Sequence, residues 1–293
     1  TFTENGFTDK DGKENIVSND GDGILLLRSD QESLTLLSGN SNKGNLFVSP
    51  EKENSVITIK MQEGQTNFNG EIGLHANDKN PRVSLPQSSA PLNLFNDENS
   101  RVTFSSDETL ESVPISLQKL TISDGSIRID VPNGTTGVEF RQVETFSTGK
   151  IETYHNNELL ETSIGSLTMN QGSNIEVHNV NFNTSISCFE RSKMNVKGRA
   201  RFNDQTLISL SDTSLIDFGT SEVDGICKEI VIINPRTAAT NEEDETSASI
   251  ICGVNFNCNS WKDKYSGKSA KYPYARCTSG QSQNEKCLVV TNR

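Results

Sequence analysis

Six cysteines, three histidines and one dense patch of aromatic and basic residues are the groups in this 293-residue chain with chemistry to offer. The cysteines are Cys188, Cys227, Cys252, Cys258, Cys277 and Cys287, and none precedes residue 188. An even set crowded toward one end reads as an oxidised staple. Its connectivity stays open. Cys227–Cys252 would bracket the segment between them, and Cys188–Cys227 competes with that pairing. If Ser187 and Phe189 alternate inward, Cys188 faces outward, where a paired cysteine belongs. No CxxC pair is present and no histidine lies beyond His178, which argues against a zinc site.

His75, His155 and His178 stand apart, with no serine or cysteine placed to form a nucleophile and base. Asp9-Lys10-Asp11-Gly12 and Asp20-Gly21-Asp22-Gly23 complete neither an EF-hand nor a repeated calcium-binding nonapeptide. They read as turns. The expectation is therefore a protein that is not an enzyme, with no catalytic residue, metal or cofactor.

The remaining patch is Trp261, Lys262, Lys264, Tyr265, Lys268, Lys271, Tyr272, Tyr274 and Arg276. From Cys258 to Arg293, seven basic residues face two acidic ones, a net of +5 in a chain of net -12, so the rest carries -17. Aromatic and basic side chains anchor interfaces. The segment reads as the small core of a cysteine-rich cap, and also as a binding surface for a glycan or protein partner. A nucleic-acid partner is not expected, because phosphate binding needs a sustained basic surface.

The elements that must position these groups are short strands. Apolar residues make up 32% of the chain and mean hydropathy is -0.54, too lean for a thick core, yet they recur in ordered alternation. Leu120-Thr121-Ile122, Leu167-Thr168-Met169, Ile175-Glu176-Val177, Met194-Asn195-Val196 and Ile208-Ser209-Leu210 each send alternate side chains to one face. Gly, Asn, Asp and Ser fill the turns between them. Ile122, Phe146, Met169, Phe189 and Leu210, taken as one repeating position, are 24, 23, 20 and 21 residues apart. A strand-built period of that size predicts an all-β parallel β-helix, or β-solenoid, with a short disulfide-stapled C-terminal segment. An antiparallel sandwich also has many short strands and is the competing reading.

The predicted organisation is a β-helix over 1–234, an acidic loop or linker over 235–251, and the cysteine-rich segment over 252–293. At fold level the repeat resembles the parallel β-helix of the pectin-lyase-like superfamily. The layout, a cysteine-free stretch running into a cysteine-rich end, is similar to protist surface lectins such as the amoebic Gal/GalNAc lectin intermediate subunit. Neither resemblance carries a functional residue over.

The sequons at Asn133 and Asn183 and the cysteine usage point to an extracellular or cell-surface setting. The expected function is a recognition or adhesion module, a rigid acidic solenoid meeting a glycan or protein partner, with neighbouring cysteine-rich domains in a longer parent chain. The alternatives are a structural wall, coat or assembly component, and a polysaccharide-active enzyme.

Overall fold

A computed structural model describes residues 24–29, 33–38, 45–50, 53–61, 71–76, 79–84, 90–96, 98–105, 114–211, 213–232, 248–265 and 273–292. The chain is a β-solenoid, nearly all strand. It divides into two compact units, residues 1–139 with 152–160, and residues 140–151 with 161–293.

The strands of the first unit are β1 (Ile24–Ser29), β2 (Ser33–Ser38), β3 (Asn45–Pro50), β4 (Val56–Met61) and β5 (Glu71–His75). They continue with β6 (Arg82–Ser84), β7 (Ala90–Asn96), β8 (Ser100–Ser105), β9 (Ile115–Ile122) and β10 (Gly125–Asp130). Odd-numbered strands form one parallel ladder and even-numbered strands a second. One turn adds between 20 residues, from Ile72 to Leu92, and 27 residues, from Arg101 to Arg128. Leu74, Leu94, Leu120, Val83, Phe104 and Ile129 point between the ladders and are buried. No single turn can hide these side chains; the stack does.

Next come β11 (Gly137–Thr145), β12 (Thr148–His155) and β13 (Glu158–Met169). Antiparallel pairing of Thr153 with Leu160 makes a hairpin whose tip, Asn156 and Asn157, takes φ values of 47° and 66°. Two left-handed residues match the twist of a tight hairpin, and asparagine tolerates that backbone. This hairpin is missing from the sequence reading, although its Asn-Asn dipeptide is the signal for it.

The second unit adds β14 (Asn174–Cys188), β15 (Lys193–Phe202), β16 (Leu207–Leu210), β17 (Leu215–Asp217), β18 (Glu222–Gly225), β19 (Glu229–Ile232) and β20 (Ser249–Gly253). Here the coil has three sides. One ladder aligns Thr148, Asn174, Lys193, Leu215 and Ile250. A second aligns Ser166, Ser185, Leu207 and Glu229. A third aligns Thr162, Val180, Ala200 and Val223. β14 belongs to all three and bends at two register shifts. At one of them Asn179 (φ 45°) lies beside Gly198 (φ 77°), where a Cβ would come within 2.2 Å of the Asn179 Oδ1. Any side chain there would displace Asn179 and strain a left-handed backbone, which favours glycine.

The repeating core position differs from the one read in the sequence. Met169, Cys188 and Leu210 share one register and are buried, and the N–H groups of Asn170, Phe189 and Ser211 bond to the carbonyls of Thr145, Met169 and Cys188. The column is thus Thr145, Met169, Cys188 and Leu210. Phe189 is only half-buried and Phe146 is 50% exposed. Cys188, expected outside, points inward.

After β20 come helix α1 (Cys258–Lys262) and strands β21 (Pro273–Ser279) and β22 (Lys286–Asn292). Asn257 caps α1 by accepting from the Ser260 N–H. β22 pairs antiparallel with β20 and with β21, so the parallel ladder ends against a hairpin. β20, whose residues 249–251 are expected at the end of a loop, is that ladder's last rung. Residues 235–247 of the expected acidic linker lie outside the described residues.

Candidate functional site

The cysteine-rich segment proves to be part of the core of the second unit. Trp261 is 2% exposed, and its ring centroid lies 4.8 Å from Phe202, 5.2 Å from Phe256 and 5.9 Å from Phe218. Tyr265 is also buried and forms a parallel bridge with Ile230, whose N–H bonds to the Lys264 carbonyl. These two rings close the hydrophobic interior and offer no face to a ligand, which corrects their place in the expected platform. Lys262 is exposed, and Lys264 and Arg276 are half-exposed. Tyr274 lies in β21 opposite Thr291. Lys268, Lys271 and Tyr272 lie outside the described residues.

Four cysteines form the staple. Cys252–Cys287 links β20 to β22 across Cα atoms 4.2 Å apart, and Cys258–Cys277 ties α1 to β21. Cys188 and Cys227 are free and buried, which overturns both pairings weighed for them. Each is buried and forms no disulfide. Burial pushes both thiols up to about 12. Cys252, Glu285 and Cys287 converge within 4.8 Å, but the two sulfurs are spent on each other and do not ligate a metal.

A polar face on the second unit is better formed than the expected patch. β12, β14 and β15 lie side by side, and their outward residues fall into rows. Thr148, Asn174 and Lys193 make the first row; Lys150, Glu176 and Asn195 the second, continued by Asp217; His178 and Lys197 begin a third. Such a grid has a pitch of ~4.8 Å between strands and ~6.6 Å along them. His178 Nε2 lies 2.8 Å from Glu176 Oε1, and Lys150 Nζ lies 3.6 Å from the same oxygen. The hydrogen bond with His178 is the main force holding the Glu176 carboxyl below its ordinary value.

The rows are entered through stacked turns. In Asn170–Ser173, Phe189–Ser192 and Ser211–Ser214 the last N–H bonds to the first carbonyl, and the last serine is buried. Gly172, Arg191 and Thr213 take the left-handed position, with φ of 75°, 61° and 64°. The turn before β12 is shorter and places Phe146 at its apex. Bonds from Asn170 N–H to Thr145 O and from Asn174 N–H to Ser147 O set this apex beside Gly172, around whose Cβ position 4 Å is empty. Phe146 is left half-exposed at this turn. Around it, Asn170 Nδ2 donates to Glu144 Oε1 and Gln171 Nε2 to Glu190 Oε2, both at 3.3 Å.

The third side carries its own ion pairs. Arg199 bonds Asp224 through its Nε at 2.6 Å, and Arg201 meets Glu161 at 3.1 Å and Asp224 at 3.8 Å. Both sequons reach the surface to different degrees: Asn133 is exposed in the turn closed by Thr135 N–H on Pro132 O, while Asn183 is half-buried at a bend of β14.

No protein-family model, curated protein or solved structure matches the chain.

Proposed function

We propose that this chain is an extracellular recognition or adhesion module whose second unit presents the Phe146 corner and the adjoining polar grid to a glycan. The observation that carries the reading is the exposed Phe146 ring in the turn that leads into the first row of the grid. A lone exposed apolar residue needs no explanation. Here the ring adjoins ordered rows of amide, ammonium, imidazole and carboxylate groups. A sugar needs both, an apolar face for its C–H surface and fixed polar partners for its hydroxyls.

The rigidity of a laddered sheet supports this use, since a surface already in its bound geometry loses little entropy on binding. Two disulfides fit an oxidising, extracellular setting. The coil of about 6 turns is compatible with a parallel β-helix fold. Kinship with the pectin-lyase-like superfamily, like the lectin-like layout, belongs to the proposal.

The test is a glycan array probed with the 293-residue chain and with Phe146→Ala. Binding to a defined glycan, weakened tenfold or more in Phe146→Ala while the melting temperature holds, is the expected result. An array with no bound glycan would overturn the glycan reading.

A further inference from the structure

A second polar cluster, on the first unit, has a different chemistry. Arg101 on β8 and Arg128 on β10 are register partners on adjacent rungs. Arg82 on β6 pairs with Thr103, two residues along β8 from Arg101. Three arginines thus occupy three successive strands of one ladder face.

One of them is locked. The Arg128 guanidinium bonds Asp130 at 2.9 Å and Asn157 Oδ1 at 2.9 Å, and lies 4.1 Å over the Tyr154 ring. The Tyr154 hydroxyl donates to Glu152 Oε1 at 3.1 Å. Arg101 spends only its Nε, on Asp130 at 2.6 Å, and its side chain is 52% exposed. Arg82 is exposed. Among the described residues, no bond engages the terminal nitrogens of Arg101 or any side-chain nitrogen of Arg82.

We infer that Arg82 and Arg101, backed by the locked Arg128–Asp130 pair, form a docking surface for an extended acidic segment of a partner protein. Guanidinium forks are suited to carboxylates, which they grip with two parallel hydrogen bonds. One rung and two residues separate the two Cα atoms, roughly 8 Å apart on the diagonal. Alternate carboxylates of an extended peptide lie about 6.6 Å apart on one side, a difference that the long arginine side chains absorb. Asp130 faces Arg101 and Arg128, Glu152 lies within electrostatic reach of Arg128, and both carboxylates already hold partners.

The chain's net charge of -12 does not cancel this attraction. At physiological salt the Debye length is about 8 Å, so distant carboxylates are screened and the local charges decide. The surface lies outside the grid and the Phe146 corner, so its success or failure is separate from that of the glycan reading.

The test uses the 293-residue chain and a fluorescent peptide of alternating Glu and Ser, with a Gln/Ser peptide of equal length and a heparin oligosaccharide as the other arms. Anisotropy titrations should show binding of the Glu/Ser peptide alone, weakening as salt rises. Arg82→Ala/Arg101→Ala should lose at least tenfold. Arg82→Lys/Arg101→Lys, which keeps charge and loses the forks, should lose several-fold, with both variants keeping the parent's circular dichroism. No binding of the Glu/Ser peptide, equal binding to the double alanine variant, or arginine-dependent binding of heparin without the peptide would each overturn the proposal.

Discussion

The Cys188 thiol rests 3.8 Å from the Met169 sulfur, one rung away on the same inward column. Two soft, polarizable groups fill a position that aliphatic side chains take in the next rungs, and neither sulfur needs a redox partner there. Because burial holds the Cys188 and Cys227 thiols near 12, the folded chain carries no reactive thiolate at pH 8. A thiol-specific chromogenic reagent should titrate none in the native protein and two per chain in denaturant. Native reactivity, or four thiols after unfolding, would contradict this packing and connectivity.

Trp261 is the chain's sole tryptophan and reports directly on the closing layer. Its emission should be blue-shifted in the folded protein and move red on reduction. Opening Cys252–Cys287, which spans 35 residues, should cost about 3–4 kcal/mol. Trp261→Ala should cost about 3–5 kcal/mol. A ring that served mainly as a ligand platform would leave the urea midpoint nearly unchanged.

Arg191 holds a left-handed backbone that costs a residue with a Cβ about 1 kcal/mol, while the same turn one rung away uses Gly172. Arg191→Gly should raise stability by about 0.5 kcal/mol, the relief being trimmed by the greater freedom of glycine in the unfolded chain. Only a weak contact to Glu190, at 3.9 Å, is lost. Urea melts of the two proteins decide the sign.

Asp130 pays a desolvation cost, but hydrogen bonds from Arg128 and Arg101 outweigh it and hold its carboxyl below the ordinary 3.8. A carboxyl depressed in the folded state contributes stability that is complete above its unfolded value and is lost as pH falls through its folded one. The stability gap between the parent chain and Asp130→Asn should be constant from pH 7 to about 5 and shrink below 4. A gap that widens on acidification would reverse the assignment.

The alternation in Ile175-Glu176-Val177 and Met194-Asn195-Val196 was enough to place those strands and their inward faces, because one face of a strand must be apolar when the other meets water. Phase at the turns was not legible. Phe146 and Phe189 read as core because aromatic rings are costly in water, yet turn geometry put the inward position one residue earlier, at Thr145 and Cys188. The same one-residue slip turned Cys188 outward in the sequence reading. Trp261 beside lysines read both as the small core of a cap and as a ligand anchor, and the Phe202, Phe218 and Phe256 rings around it decide for the core. The polar grid depends on register between strands some 20 residues apart, which composition does not encode.

The late position of the cap bears on how the chain is made. Phe202 and Phe218 wait for Trp261 and Phe256 before their exposed sides are covered. At about 5–20 residues per second, translation leaves that layer open for seconds after its strands have emerged. During that interval the growing end of the ladder is a template without its terminator, able to accept a stray strand from another chain. Variants that slow oxidation of Cys252 or Cys287 would lengthen the interval, so their first symptom should be lost yield of folded protein.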